Sequence, residues 1–224
     1  MIFGFFLFLM ILSYIVQYRL KSKFKKYSQM PIAQGVTGKD IAECMLQANN
    51  IKDVKVFSTS GRLTDHYNPA NKTINLSEDV YGTSSVAAAA VAAHECGHAV
   101  QHAESYAWLQ FRSAIVPVIS FASSWMQWVL LAGILLIEVF PYLLVVGVVL
   151  FAMTTLFSFI TLPVEINASK RALAWLSTSG LTTSANDEAA KDALKSAAYT
   201  YVVAALGSLA TLLYYVMILL GRRD

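Results

Sequence analysis

The sequence predicts a helical membrane protein that carries a small α+β domain around one metal-binding helix. Three observations lead there. Of 224 residues, 56% are hydrophobic and only 14% are charged, where a soluble domain would carry about 25% charged residues. About four apolar runs approach the roughly 20 residues that cross a bilayer as a helix. The more polar stretch after the first run contains His94-Glu95-Cys96-Gly97-His98, an H-E-x-x-H pattern.

Composition also excludes several classes. A net charge of +3 offers no strongly basic surface of the kind that binds nucleic acid. Cys44 and Cys96 are the only cysteines and lack CxxC spacing. That argues against a disulfide framework or a cysteine-built zinc site, and it fits a reducing compartment. The N-terminus has neither a basic n-region nor a small-residue cleavage site, so no removable signal peptide is expected.

Residues 1–18 are almost wholly apolar and read as a first transmembrane helix. Arg19, Lys21, Lys23, Lys25 and Lys26 follow at once. Basic residues flanking a span mark its cytoplasmic end, so the N-terminus is expected outside and residues 19–111 inside. The same run suits anionic headgroups. Within 19–111, Thr37 and Asp40 have capping-box spacing, and Ile41, Met45 and Leu46 give a short amphipathic helix ending near Asn49-Asn50. Strands are expected around 54–57, 62–67 and 72–76, separated by turns at Ser60-Gly61 and 68–71. Serine then opens an Ala-rich helix from about Ser84 to Ala103 that carries the motif.

Residues 115–139 and 141–162 read as a transmembrane hairpin, with Pro117 near the start of the first helix and Pro163 ending the second. The hairpin returns the chain to the cytoplasmic side, where 163–196 forms a polar helical region interrupted at 177–184. Residues 197–220 are a fourth span. Arg222 and Arg223 would then lie outside, against the charge rule, but five basic residues after the first span outweigh them.

The chemistry starts from helix geometry. Positions i and i+4 share a face, so His94 and His98 can reach one metal ion, and Glu95 can reach a water on it. A catalytic zinc takes three protein ligands and keeps one position for water. Glu95 is then the general base that takes the water proton and later passes it to the leaving amine. Gly97 is a poor helix residue, tolerated where something packs against the backbone. Cys96 points about 200° around the helix from His94, away from the metal.

The third ligand must come from elsewhere. Glu104 stands ten residues after His94, a spacing one zinc-protease class uses after a Gly-induced turn. Here Gln101 occupies that Gly position and nothing breaks the helix. Glu104 is then about 9 Å beyond His98, and His102 about 6 Å beyond it, both too far for a zinc bond. Glu138 falls on the wrong side of the membrane. Glu165 remains, where the second hairpin span emerges into the cytoplasm.

These segments resemble a family. H-E-x-x-H, two transmembrane helices and then Glu165-Ile166-Asn167-Ala168 look like the membrane-embedded gluzincin peptidases. Asp65-His66-Tyr67-Asn68-Pro69, the stretch 92–101 and Leu162-Pro163-Val164-Glu165-Ile166-Asn167-Ala168-Ser169 resemble the YugP-type neutral zinc metallopeptidases of bacterial membranes. The resemblance implies an α+β metallopeptidase domain in the bacterial cytoplasmic membrane, with one zinc per chain on His94, His98 and Glu165 and Glu95 as general base. It implies polypeptide substrates associated with the membrane, misfolded membrane proteins among them, and a strand edge at 72–76 that pairs with extended substrate. The wider gluzincin pattern places Asp where Ser169 stands, an acid that orients a ligand histidine. Ser169 or Asn167 is the candidate to replace it. His66, Tyr67 and Arg171 are candidates to bind substrate or stabilise an oxyanion.

Two other readings compete. A protease cutting within the bilayer would want the motif inside a span and an Asp ligand in a later one, yet 115–162 contains no Asp. A non-enzymatic metal-binding scaffold or transporter would have no need of Glu95.

Overall fold

The computed structural model describes residues 2–32 and 35–221. In chain order these form α1 (Ile2–Tyr27), α2 (Gly38–Ala48), β1 (Lys55–Thr59), β2 (His66–Asn68), β3 (Thr73–Ser77), α3 (Glu78–Tyr81), α4 (Val86–Ala103), α5 (Ala107–Leu135), α6 (Tyr142–Ser179) and α7 (Ser184–Leu220). Four of these helices, α1, α5, α6 and α7, are long and apolar enough to cross a membrane. Large apolar side chains such as Phe8, Phe121, Trp128 and Leu213 lie exposed along them. Hydrocarbon is the solvent that suits such faces, and the chain is an integral membrane protein.

The α+β part forms as its local signals direct. Thr37 caps α2 in a capping box with Asp40, and Asn49 closes the helix. The three-stranded sheet has the order β1-β3-β2. β1 runs parallel to β3 with Val56 opposite Ile74. β2 runs antiparallel to β3 with Tyr67 opposite Ile74. This corrects one expectation. The strand near 72–76 offers no edge to a substrate, because β3 is the central strand with both sides paired. β2, with its outer side unpaired by any other strand among the described residues, packs against α4, as does β3. One core joins α2, β3 and α4 to the distal part of α6 and the start of α7, with Ile41, Met45, Ile74, Leu76, Cys96 and Leu176 almost wholly buried.

The spanning helices run further than the sequence suggests. α1 continues through the basic run, and at its end Lys23 and Tyr27 both donate to Asp192 of α7, at 2.7 and 2.6 Å. α5 begins at Ala107, which leaves Pro117 well inside the helix. Pro163 does not end α6, which continues to Ser179. An interior proline costs about 3 kcal/mol or more, and the packing of distal α6 against α4 and α7 offsets that. The polar region expected as separate helices is therefore an extension of α6 and α7. Gly180, with φ of 72°, makes the left-handed turn between them. Arg222 and Arg223 lie outside the described residues.

Candidate metal centre

The site begins with α4. Ser85 accepts a hydrogen bond from Ala88 N–H at 3.2 Å and caps the helix. One face carries His94 and His98, whose ring centroids are 4.8 Å apart. The opposite face buries Cys96, whose thiol contacts the Ala42 carbonyl oxygen of α2 at 3.4 Å. Gly97 lies where α6 crosses. A Cβ there would sit 2.6 Å from the Ala168 carbonyl oxygen, so the two backbones touch and only glycine fits unshifted. That contact brings Glu165, three residues before Ala168 on α6, over the histidines.

Glu165 Oε2 lies 3.3 Å from His94 Nε2 and 3.6 Å from His98 Nε2. The ligand atoms of the three residues all fall within 4.8 Å of one another. Two ligands on a tetrahedral zinc at about 2.1 Å each would stand about 3.4 Å apart, so the cluster has the right size for a metal. Its hydrogen bonds also fit. Gln101 donates from Nε2 to the Val164 carbonyl at 2.8 Å and to Asn167 Oδ1 at 2.9 Å. Its amide oxygen therefore faces His98 Nδ1, at 3.0 Å, and requires the hydrogen there. That tautomer leaves the Nε2 lone pair for a metal. Ser169 Oγ lies 3.1 Å from His94 Nδ1, and its hydroxyl can accept a hydrogen there. Burial alone would lower the His98 pKa. The hydrogen bond with Glu165 and the charges of Glu95 and Glu165 outweigh it and hold the value above the ordinary 6.5.

Glu95 is buried, and its Oε2 accepts the Tyr67 backbone N–H at 2.9 Å. β2 thus braces the carboxylate and turns its outer edge toward the site. The cluster opens into a cavity of about 170 Å³, walled by β2 and α4 on one side and by α5, α6 and α7 on the other. None of 177–186 lines it, so the α6–α7 turn does not cover the opening.

The remaining candidates fall into two groups. Asn167 accepts from Gln101 and from Arg171 Nε, the latter at 2.7 Å, so it supports His98 at one remove and does not touch His94. Arg171 also pairs with Glu104 at 2.7 Å, which fixes both away from the metal cluster. The Tyr67 hydroxyl lies 2.6 Å from His102 Nδ1. Burial first, then the Asp53 charge, push its pKa up to about 12, so it keeps its proton at ordinary pH. His66 lines the cavity, with Nδ1 2.7 Å from the Thr64 carbonyl and Nε2 3.3 Å from Asn75 Nδ2.

Three residues escaped the sequence reading. Gln101 could have been found, since it stands one turn after His98 on the ligand face. Arg112, a lone cation entering an apolar run, carried a weak signal. Tyr201, beside Tyr199 in an apolar run, carried none.

The fold and site define a class: an integral-membrane metallopeptidase of the gluzincin type, with His, His and Glu gathered beside a buried glutamate. The sequence profile of the family described as "Putative neutral zinc metallopeptidase" matches residues 2–220, and the chain belongs to that family. It is 43% identical over 213 residues to the "Putative membrane protease YugP" of Bacillus subtilis (strain 168), across 95% of this chain and 94% of that protein. No solved structure matches the chain.

Proposed function

We propose that the chain is a membrane-bound zinc endopeptidase with one zinc held by His94, His98 and Glu165. Nε2 of each histidine and a carboxylate oxygen of Glu165 are the ligand atoms. Zinc, when bound, supplies Lewis-acid polarisation of the scissile carbonyl and lowers the pKa of the attacking water to about 7. Glu95 takes the proton as the water oxygen bonds to the carbonyl carbon, and delivers it to the nitrogen as the C–N bond breaks. The Tyr67 N–H keeps the carboxylate aimed during both transfers. Gln101 and Ser169 hold the two ligand rings in the metal-binding tautomer.

The substrates are polypeptides associated with the membrane, since part of the cavity wall belongs to the spanning helices. The outer edge of β2 offers the Tyr67 carbonyl to an extended chain, and backbone pairing there gives affinity with little sequence preference. The basic end of α1 supports an N-terminus outside and a catalytic side in the cytoplasm. The relative named a membrane protease supports a substrate found at the membrane.

The observation that carries this reading is the approach of Glu165 to both Nε2 atoms beside a braced Glu95. It is tested by zinc analysis and a casein assay on the detergent-solubilised protein. Wild type should bind zinc and cleave. Glu95→Gln should keep zinc and lose activity by about 10²–10⁴-fold. Wild type that holds zinc and cleaves nothing, under conditions where the fold is intact, would overturn the reading.

A further inference from the structure

We propose that Arg112 of α5 and Tyr201 of α7 form the oxyanion-stabilising wall of the cavity. This rests on the peptidase reading above. Attack on a carbonyl moves its π electron pair onto oxygen, and that charge needs donors on the side away from Glu95. The donors that β2 brings to the cavity are engaged elsewhere. The Tyr67 N–H serves Glu95, its hydroxyl serves His102, and His66 contacts Thr64 and Asn75.

Arg112 and Tyr201 line the same cavity as Glu95 and Glu165. The Arg112 Nε atom is buried and has no hydrogen-bond partner among the described residues. No carboxylate forms an ion pair with its guanidinium among those residues. A buried charged donor is normally paired, because leaving it bare is costly. An arginine that only reached for lipid headgroups would carry its charge outward into water. This one forms cavity wall and keeps a buried donor unpaired, which is the state expected of a group completed by a ligand. Tyr201 lines the cavity beside Glu165, with which its hydroxyl hydrogen-bonds, so it stands on the metal side, where a substrate carbonyl oxygen competes with that carboxylate for its donor. Neither residue exchanges a proton in the reaction. Both donate hydrogen bonds that strengthen as the carbonyl oxygen gains charge, and that relax when the C–N bond breaks and Glu95 protonates the nitrogen.

The test uses the full-length, zinc-loaded protein in nanodiscs with a quenched fluorogenic peptide derived from casein, and a phosphinic analogue of the same peptide that mimics the tetrahedral carbon. Tyr201→Phe and Arg112→Gln should each lower kcat by about 100- to 1,000-fold with KM within a few-fold and zinc content at the wild-type level. The inhibition constant of the analogue should rise by about the same factor as kcat/KM falls. Arg112→Lys should recover part of the loss. Variants with kcat near wild type, losses confined to KM, loss of bound zinc, or analogue affinity unchanged while kcat falls would each overturn the proposal. A wild-type protein that holds zinc but cleaves nothing fails earlier, at the peptidase reading, and takes this proposal with it.

Discussion

At the scale of residues, the centre depends on a relay that ends far from the metal. Gln101 is wholly buried, and its amide can satisfy His98, Val164 and Asn167 together in one orientation only. Replacing it by Leu removes the acceptor for His98 Nδ1–H and takes one hydrogen bond each from the Val164 carbonyl and Asn167 Oδ1. Zinc affinity should fall by about 10- to 100-fold, and stability by about 1–3 kcal/mol. Chelator competition and thermal unfolding measure the two effects, and wild-type affinity in Gln101→Leu would remove Gln101 from the relay. The raised pKa of His98 gives a second expectation. In metal-free protein the protonated ring favours folding below the ordinary value of 6.5, and that contribution is lost as pH rises through the higher folded value. Zinc needs the neutral ring, so its affinity should increase with pH across the same window. A pH-independent zinc affinity between pH 6 and 8 would contradict this. The ligands were legible because His94 and His98 lie one turn apart and only one acid fits the topology. Gln101's partners on α6 were not legible, since a hydrogen bond to residues 164 and 167 depends on how two distant helices cross.

At the scale of elements, the centre is the crossing of α4 and α6. The Ala-rich start of α4 packs closely against its neighbours, and Gly97 lets α6 approach to backbone contact. Gly97→Ala would place a Cβ 2.6 Å from the Ala168 carbonyl oxygen. Backbone cannot rotate away as a side chain can, so the helices must part. Stability should drop by about 1–3 kcal/mol, and zinc affinity should fall as well, because the ligands sit on opposite sides of the crossing. A variant with altered melting but intact zinc binding would show that the crossing does not set the ligand spacing. The sequence pointed to a close approach at Gly97 but not to the helix that makes it. It also suggested that Pro163 ends a helix. The signal was sound locally, but tertiary packing of distal α6 overrode it. The small sheet was legible as three strands from alternation and turn residues. Its order was not, because a parallel β1–β3 pairing leaves no mark in local sequence.

At the scale of the whole molecule, the membrane helices complete the centre as well as anchor it. α6 brings Glu165, while α5 and α7 wall the cavity. α1 is tied to α7 by the bonds of Lys23 and Tyr27 to Asp192. The proposed orientation has a direct probe in the native cysteines, since Cys44 is exposed and Cys96 buried. A membrane-impermeant maleimide should label Cys44 in inverted vesicles and leave it unlabelled in intact cells. Labelling in intact cells would reverse the orientation. The central claim is that a glutamate from a spanning helix completes a zinc site begun on α4. Anomalous diffraction at the zinc edge from crystals of the zinc-loaded protein tests it most directly. One peak is expected, about 2.0–2.2 Å from Nε2 of His94, Nε2 of His98 and a carboxylate oxygen of Glu165. A peak bound by the histidines without Glu165, or none at the cluster, would contradict the account.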